Sequence, residues 1–330
     1  MFLDNLPAFA ISPILKIWRH KSFRLIRFIL NILVATYLLN QYLNSRAAWK
    51  ETRAKFAKIG KENEKIIFTN FLFTENADLS IYQAMAILSM KARSSGTPIY
   101  VFYIYDCDGP LWKLIKENVN VIKIKNFSFR GVGHYRHFAH KADIVRLEVL
   151  YAVGGLYFDI DTLTISNPEK LIDDSKLVMG YEISPRSGEI VGLCNAIMSA
   201  PRKNNFVEAW MNQTKYFWSR GKDVFYAEFA VALPLVLSRN RKLAKCLIAL
   251  PAESLFKFLF TDIELELFSE MENEKVNFIN YPPIIHLWES QTQNVLNKVD
   301  LEFINTSSSF YAQVARTVLH DLHIDLARLK

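Results

Sequence analysis

The order of apolar and polar residues along the chain predicts alternating strands and helices from residue 64 onward. Short apolar runs rich in β-branched and aromatic residues predict buried strands over 65–73, 98–105 and 120–124. Helical spacing of apolar residues separates them, over 78–95 and 111–118. This alternation is typical of a mostly parallel sheet with helices on its faces, so we predict an α/β fold. Ligands of such folds gather at the carboxyl ends of the strands.

The N-terminal segment follows a different pattern. Residues 13–43 predict a helix, because Pro13 stands near its start and neither Gly nor Pro follows. In helical projection a basic face lies opposite an apolar face. The basic face is formed by Lys16, Arg19, Arg24 and Arg27, and the apolar face by Leu15, Trp18, Leu25, Ile26 and Ile29. Two such faces are typical of an amphipathic helix that lies in the membrane interface.

Two other interpretations of this helix stay open. Residues 28–43 are apolar all round, but Asn31, Asn40 and Gln41 interrupt them, so the run falls short of the roughly 20 apolar residues of a spanning helix. A spanning anchor with its basic flank inside is one alternative, and a plain helix that covers the domain's own core is the other. We divide the chain into a basic N-terminal helical segment with its connector, 1–63, and one larger α/β domain, 64–330.

Composition and charge exclude several classes of protein. The chain is 51% hydrophobic and 22% charged with 11 Gly and 11 Pro, which excludes a disordered or low-complexity protein. Three scattered cysteines are too few for a disulfide framework or a Cys-ligated zinc site. Residues 1–62 hold eleven Lys and Arg against three acidic residues, a net +8, so the remaining 268 residues contribute −1 to the total of +7. A neutral body without a basic stripe argues against nucleic acid as a partner.

The chemical information concentrates in residues 140–163, which read HKADIVRLEVLYAVGGLYFDIDTL. Residues 138–152 predict a helix on which Asp143 and Arg146 project from adjacent points of one face. By spacing alone a surface ion pair is the simpler interpretation of these two residues. The Gly-Gly pair at 154–155 ends the helix, because glycine adopts the left-handed conformation of a helix C-cap. Glycine motifs of dinucleotide-binding and P-loop proteins are absent from the sequence.

A strand predicted over 156–161 follows the glycines, with Tyr157, Asp159 and Asp161 on the same side. Two carboxylates at the end of an apolar strand repel each other unless a cation lies between them. They therefore offer oxygen ligands to a hard divalent metal, which can in turn hold a diphosphate.

The whole segment resembles the DXD-containing glycosyltransferases of family 32, which share this region with the large clostridial glucosylating toxins. The family pattern is a small residue, Asp, two variable residues and Arg, then Leu, then Gly-Gly-x-Tyr-x-Asp-x-Asp. The chain matches it without insertion at Ala142, Asp143, Arg146, Leu150, Gly154, Gly155, Tyr157, Asp159 and Asp161. Asp-x-Asp by itself is a weak signal, since Asp106-Cys107-Asp108 has the same form and predicts only a turn and helix cap.

The resemblance implies a GT-A fold that binds a nucleotide-sugar, and it implies a role for each matching residue. Asp159 and Asp161 would hold Mn²⁺ or Mg²⁺ on the donor diphosphate, Asp161 as direct ligand and Asp159 touching the ribose or the metal. Asp143 and Arg146 would hold the donor sugar hydroxyls, and Tyr157 would line the nucleotide pocket. The catalytic residues implied in this way are Asp159, Asp161 and Arg146.

A later segment, residues 192–202 (GLCNAIMSAPR), resembles the strand and turn in which the family carries an Asn. This implies that Asn195 approaches the donor or acceptor sugar, and a buried turn Asn is the alternative. The family's Thr-Gly-Pro run before a late helix is missing, because residues 230–235 read AVALPL.

Residues 281–290 (YPPIIHLWES) resemble the segment that returns a polar residue to the metal in this family. This implies His286 as a third metal ligand and Trp288 over the donor, and a core His beside a packed Trp is the alternative. A rival zinc site consists of histidines three apart in the sequence, His134, His137 and His140. Spacings of three and six do not put all three on one helix face, and His137 or His140 lining the donor pocket is the other interpretation.

The resemblance therefore implies metal-dependent, retaining transfer of a hexose from a nucleotide-diphosphate sugar, with a UDP-sugar as donor, to a hydroxyl acceptor in polysaccharide or glycolipid assembly. No residue identifies itself as the nucleophile of a double displacement, so we expect departure and attack on one face of the sugar. A membrane-associated protein-modifying glucosyltransferase and a non-catalytic nucleotide-sugar-binding scaffold are the alternatives. The N-terminal helix predicts contact with a membrane surface, at the cytoplasmic face of a bacterial membrane or, alternatively, in a type II protein of the secretory pathway.

Overall fold

A computed structural model describes residues 21–71, 78–126, 138–214, 216, 218, 227–271 and 281–329. The strands are β1 (Ile66–Phe71), β2 (Ile99–Tyr103), β3 (Asn120–Lys123), β4 (Gly155–Phe158), β5 (Thr162–Thr164), β6 (Leu177–Ile183), β7 (Ile190–Ala200), β8 (Leu247–Leu250) and β9 (Ile284–His286). Seven of them form one sheet in the order β3-β2-β1-β4-β7-β6-β8, and β5 pairs with β9 in a separate two-stranded sheet.

Helices connect most of these strands. They are α1 (Lys21–Glu62), α2 (Ile81–Arg93), α3 (Pro110–Asn118), α4 (Phe138–Ala152), α5 (Asn205–Gln213), α6 (Leu233–Ser238), α7 (Arg241–Ala244), α8 (Ala252–Leu255), α9 (Glu289–Leu296), α10 (Leu301–Thr306) and α11 (Phe310–Asp321). Short 3₁₀ or π turns lie at Pro168–Leu171, Glu228–Ala232, Glu264–Phe268 and Leu326–Leu329.

The central sheet is mostly parallel, as predicted. β1 runs parallel to β2 and β4, β2 to β3, and β6 to β8, whereas β7 is antiparallel to both of its neighbours. The chain goes outward from β1 to β3 and then returns to β4 on the other side of β1. Such a reversal of strand order opens a crevice at the carboxyl ends of the two strands, where ligands of α/β proteins bind.

Apolar side chains fill both faces of the sheet. All six residues of β1 are buried, as its continuous apolar run predicted. On one face Ile66 and Phe68 pack with α4, α5 and the last turns of α1. The other side of the domain holds a core built around α2, α3 and α11, to which Phe71 contributes. The predicted α/β fold is therefore confirmed.

The N-terminal segment forms one long helix in the described part of the chain. α1 covers residues 21–43 of the helix predicted for 13–43 and continues through the connector predicted for 44–63 as far as Glu62. Residues 1–20 lie outside the described part. Phe56 and Ile59 near its end are buried in the domain core. Among the described helices none combines the length and apolar character that crossing a bilayer requires. The boundary at residue 63 stays a prediction.

Candidate active site

Two glycines place the start of β4 directly against β1. The Gly154 N–H donates to the Leu150 carbonyl at 2.9 Å and ends α4. Gly154 and Gly155 have φ of +80° and +108°, and a Cβ on Gly155 would lie 1.9 Å from the carbonyl oxygen of Ile66. Only glycine tolerates both the left-handed backbone and this approach. The helix C-cap predicted at this pair is confirmed, and it brings α4 and the end of β4 to one edge of the sheet.

The strand predicted over 156–161 is shorter in the structure, where β4 ends at Phe158. The Asp159 N–H still donates to the Ala196 carbonyl at 2.8 Å, so this residue continues the line of the strand. The chain then bends, and the Thr162 hydroxyl closes the bend by donating to the Asp159 carbonyl at 2.9 Å. Asp161 therefore reaches the side of Asp159 through a turn rather than through strand alternation.

A pair of three-residue strands brings His286 to Asp161. Thr162 of β5 lies opposite His286 of β9. The Leu287 N–H donates to the Asp161 carbonyl at 2.8 Å, and His286 Nε2 lies 3.3 Å from Asp161 Oδ2. The Glu289 backbone N–H donates to the same carboxylate oxygen at 2.7 Å. Asp161 is thus held from the backbone of a segment far away in sequence.

Asp159, Asp161 and His286 can hold a metal ion. Each offers one ligand atom, and these atoms lie within 4.8 Å of one another. Burial raises the pKa of Asp161, but the His286 charge and the hydrogen bonds from His286 and the Glu289 N–H outweigh it and leave that pKa lowered. For His286 burial lowers the pKa, but the charge and hydrogen bond of Asp161, together with the charges of Asp159 and Glu182, outweigh burial and leave that pKa raised. Two carboxylates and one imidazole suit Mn²⁺ and accommodate Mg²⁺ through the oxygens.

Arg146 connects the helix α4 to this acidic edge. Its Nη2 lies 3.3 Å from Asp143 Oδ1 and 3.1 Å from Asp159 Oδ1, and its Nη1 donates to the Asn195 carbonyl at 2.7 Å. The guanidinium also lies 4.4 Å over the Tyr157 ring. Burial lowers the pKa of Arg146, but the charges of Asp159, Tyr157 and Asp143 outweigh burial and raise it. Asp143 and Arg146 therefore belong to a buried network of charges and do not form a surface ion pair.

Asp143 is held in one orientation and keeps one oxygen unpaired. The Asn195 amide donates to Asp143 Oδ1 at 2.7 Å, so this asparagine orients the carboxylate from β7. Asp143 Oδ2 and Arg146 Nε are buried without a hydrogen-bond partner among the described residues. An unpaired buried polar atom costs about 1–3 kcal/mol. These two atoms therefore suit a ligand that carries hydroxyl groups.

Tyr157 and Trp288 are the aromatic side chains that contact Asp159 and His286, respectively. The buried Tyr157 hydroxyl donates to the Asp159 carboxylate. Burial raises the pKa of Asp159, opposed by Arg146, and the charge of Asp161 adds to the rise. Trp288 donates from Nε1 to the Phe258 carbonyl at 2.9 Å, and its ring lies 4.4 Å from that of His286. Its φ of +58° is a left-handed conformation that non-glycine residues seldom adopt and that clusters at functional sites.

One cavity of about 780 Å³ unites the predicted site residues. Its lining includes all eight of them, Asp143, Arg146, Tyr157, Asp159, Asp161, Asn195, His286 and Trp288. His140 also lines it, whereas His134 and His137 of the rival zinc site lie outside the described residues. The second Asp-x-Asp does not line it, since Asp106 pairs with Lys123 and Asp108 is exposed. The helix cap predicted there falls on Gly109.

Sequence reasoning missed two acidic residues of this cavity, Glu182 and Glu289. Glu289 begins α9 and accepts a hydrogen bond from the Tyr82 hydroxyl. Burial raises the pKa of both carboxyls. An acidic residue in the first helical turn after His-Leu-Trp was a usable signal for Glu289. Glu182 lies in a strand, and nothing in its surrounding sequence distinguishes it from a surface glutamate.

The sequence matches two family descriptions. Residues 54–178 match the "Glycosyltransferase sugar-binding region containing DXD motif", and residues 136–300, half of the chain, match the "TcdA/TcdB catalytic glycosyltransferase domain". The curated protein "Glucan organizing enzyme 1" of Cryptococcus neoformans var. grubii is 25% identical over 243 residues, which cover 72% of this chain and 64% of the relative. The chain therefore spans less than two thirds of that relative's length.

Two solved glycosyltransferase structures align with this chain at low sequence identity and with low TM-scores. "PaToxG Glycosyltransferase" is 16% identical with a TM-score of 0.39, and the match covers 63% of this chain and 84% of that one. The glycosyltransferase GlyE of Streptococcus pneumoniae TIGR4 is 12% identical with a TM-score of 0.42, covering 81% of this chain and 62% of that one.

Proposed function

Because the chain belongs to the glycosyltransferase family that shares the DXD sugar-binding region and the TcdA/TcdB catalytic domain, we propose that it is a metal-dependent, retaining hexosyltransferase with a GT-A type fold. The donor is a nucleotide-diphosphate sugar, with UDP-sugars as the expected class. The acceptor is a hydroxyl of a polysaccharide or glycolipid. The name of the curated relative, a glucan organizing enzyme, supports a glycan acceptor.

The observation that carries this proposal is the meeting of two kinds of site in one cavity. A cluster that suits a divalent metal, formed by Asp159, Asp161 and His286, lies at one part of the wall. A hydrogen-bonding network that suits a sugar, centred on Asp143 and Arg146, lies beside it and shares Asp159. A nucleotide-diphosphate sugar has both features in adjacent positions, an anionic diphosphate and a ring of hydroxyl groups.

The donor set fits a resident metal, which Asp159, Asp161 and His286 would hold. When bound, such an ion supplies positive charge that stabilises the leaving diphosphate. Arg146 complements it from the protein side, because its positive charge lies 3.1 Å from Asp159 Oδ1 and so balances one of the two carboxylates. The Glu289 N–H keeps Asp161 Oδ2 in place by a 2.7 Å hydrogen bond.

The protein's remaining contribution is to orient the sugar. Asp143 Oδ2 accepts a hydrogen bond from a donor hydroxyl, and Arg146 Nε donates one, since both atoms otherwise stay unpaired. The Asn195 amide holds Asp143 so that this acceptor does not rotate away. Fixed groups of this kind lower the barrier because they need no reorganisation during the reaction.

Retention at the anomeric carbon follows here from departure and attack on one face of the sugar. In this route an oxygen of the leaving diphosphate takes the proton of the acceptor hydroxyl, and no covalent glycosyl-enzyme forms. Asp159 and Asp161 would hold the metal, and Asp143 is held by Asn195 and Arg146. The remaining described carboxylates of the cavity are Glu182 and Glu289, and Glu289 accepts a hydrogen bond from the Tyr82 hydroxyl. Glu182 is therefore the one whose involvement as a nucleophile requires a direct test.

The test is hydrolysis of a panel of nucleotide-sugars by the full chain, with Mn²⁺ and with EDTA, together with binding of the free nucleotides. We expect release of one nucleotide that requires metal. Asp161→Asn should abolish it, because the variant loses a ligand charge. Asp108→Asn is the matched control, since it alters the second Asp-x-Asp outside the cavity and should retain full activity. Metal-independent release, or equal activity of the two variants, would contradict the proposal.

The site of action is proposed separately from the chemistry. The basic, apolar N-terminal helix supports a membrane-associated enzyme, and the cytoplasmic face of a bacterial membrane is the location that we favour over the secretory pathway. Cell fractionation of the full chain, compared with a chain that starts after residue 43, tests this. Equal distribution of the two proteins between membrane and soluble fractions would contradict it.

A further inference from the structure

A second cavity of about 840 Å³ lies between α1, the end of α4 and the turn after β7, and it shares no lining residue with the active-site cavity. Its lining carries five cationic side chains, which together we call the basic groove: Arg46, Lys50, Arg53, Arg202 and Lys203. The one acidic side chain of its lining is Glu148. The groove therefore has an excess of positive charge in a chain whose globular body is otherwise close to neutral.

The contacts within the groove leave most of this charge uncompensated. Glu148 is buried and pairs with Arg53, with Nε and Oε2 3.2 Å apart. Arg202 donates from Nη1 to the Gly60 carbonyl at 3.0 Å, which fixes the turn to α1 without neutralising its charge. Lys50 and Lys203 make no side-chain hydrogen bond or ion pair with the described residues. Like charges gathered in one concave surface attract anions.

On the N-terminal side of the groove, the same helix exposes large apolar side chains. Between residues 26 and 43 they lie on all sides of α1, and the described part of the chain leaves them about half exposed: Ile26 50%, Phe28 62%, Ile29 47%, Leu30 48%, Ile32 48%, Leu33 59%, Val34 55%, Tyr37 62%, Leu39 55% and Leu43 50%. A contiguous apolar surface of this kind marks a contact with a protein or a membrane.

We propose that the basic groove binds the phosphate headgroups of anionic phospholipids while residues 26–43 of α1 enter the apolar edge of the same membrane. The two parts adjoin, because the seven residues from Leu43 to Lys50 rise only about 10 Å along a helix. Trp49 and Tyr151 also line the groove. Aromatic side chains with a polar edge concentrate at this depth of a membrane.

The apolar surface decides between lipid and other anionic partners. RNA could neutralise the groove but does not complement the apolar surface of the adjoining helix, and a protein partner would need both an acidic patch and an apolar cavity that encloses that helix. An anionic membrane complements both features at once, charge with charge and hydrocarbon with hydrocarbon. The groove would then fix the rotation of the domain about α1 on the membrane. This inference concerns binding alone and does not depend on the proposed reaction.

The experiment measures co-sedimentation of the full chain with vesicles, without donor or acceptor. One vesicle is phosphatidylcholine alone, and the other contains phosphatidylglycerol as well. Lys50→Glu/Lys203→Glu reverses the two lysines of the groove that have no partner. Lys58→Glu/Lys242→Glu is the matched control, with the same change of charge at exposed lysines outside the groove. Phe28→Ser/Leu33→Ser tests the apolar part of α1.

We expect the unmodified chain to prefer the anionic vesicles. Each basic residue near an anionic surface contributes about a five-fold gain in binding, so the groove variant should lose at least about 30-fold and the control much less. The apolar variant should lose at least about ten-fold on either vesicle. Circular dichroism of each variant checks that the fold is kept.

Three results would overturn the inference. Equal binding to both vesicles would remove the anionic headgroup as the ligand. An equal loss in the groove variant and in its control would show that net charge, not the groove, attracts the membrane. Binding of single-stranded RNA that the groove variant loses, with vesicle binding unchanged, would assign the groove to nucleic acid.

Discussion

Replacing Arg146 by methionine tests whether the buried charge network holds the active site together. Methionine keeps a long unbranched side chain but carries no charge and no donor. The change would leave Asp143 and Asp159 without the guanidinium that lies 3.3 and 3.1 Å from their Oδ1 atoms, and the Asn195 carbonyl without its 2.7 Å donor. Both carboxylates would stay on the wall of the cavity, whose described lining contains no Lys and no other Arg.

The expected loss of stability is large. Removing one partner of a buried ion pair costs about 3–5 kcal/mol, because a charge is left in a medium of low polarity. Arg328→Met is the matched control: this arginine is 49% exposed and pairs with Glu117, which is 57% exposed. An exposed pair contributes about 0–1 kcal/mol, so the two substitutions should differ clearly in the free energy of unfolding.

The loss in Arg146→Met should also depend on pH. Burial already raises the pKa of Asp159, and Arg146 opposes that rise, so its removal raises the pKa further. A carboxyl whose pKa is higher in the folded than in the unfolded state destabilises the fold as the pH rises above the unfolded value, because folding then has to retain or regain a proton. The deficit of the variant relative to the original chain should therefore be larger at pH 8 than at pH 5.

Urea denaturation of both variants at these two pH values measures the effect. A deficit below about 1 kcal/mol, or one that is the same for Arg146→Met and Arg328→Met, would refute the idea that Arg146 compensates buried charge. A deficit that grows toward acid pH would refute the assignment of Asp159 as the carboxyl left unpaired.

Two further substitutions test the backbone and the mechanism. Gly155→Ala should yield little soluble protein, because its Cβ would lie 1.9 Å from the Ile66 carbonyl oxygen. Gly188→Ala, at φ +69° with nothing within 4 Å, should lower the free energy of unfolding by only about 1–2 kcal/mol, and equal yields and equal free energies of unfolding for the two variants would contradict this. Glu182→Gln should keep donor hydrolysis within about ten-fold of the original rate, as should the exposed control Glu189→Gln, if one-face transfer operates. A loss in Glu182→Gln beyond about a thousand-fold, together with a glycosyl-enzyme trapped on Glu182 of the unmodified chain, would instead establish double displacement.

The parallel part of the sheet was predictable because its signals are local. Strands buried on both faces appear in a sequence as continuous apolar runs. β1 and β2 lie within the two apolar runs for which strands were predicted, 65–73 and 98–105. The order β3-β2-β1-β4-β7-β6-β8 was not predictable, since strand neighbours depend on long-range packing. The same limit applies to α1, whose last turns are buried in the core although their sequence is polar and basic.

The candidate site divides in the same way. Asp143, Arg146, Asp159 and Asp161 lie within twenty residues, so helix and strand periodicity place them near each other before any tertiary contact is known. The strand predicted over 156–161 was nevertheless wrong at Asp161, because strand periodicity assumes a continuous strand and β4 ends at Phe158. The Thr162 hydroxyl closes a turn at that point, and no periodic pattern records such a bond.

The distant members of the site depend on structure too small to leave a sequence signal. His286 reaches Asp161 because β5 and β9, three residues each, pair with Thr162 opposite His286. Strands of three residues cannot be distinguished from loops by their composition. The prediction of His286 as a ligand therefore rested on the family resemblance and not on a pattern of apolar and polar residues. The same pairing places the Glu289 N–H on Asp161 Oδ2 and turns the Glu289 carboxyl toward Tyr82. The metal cluster is therefore set by backbone hydrogen bonds between distant segments, and for this reason substitutions in β5 or β9 that leave all three ligands intact should still weaken metal binding.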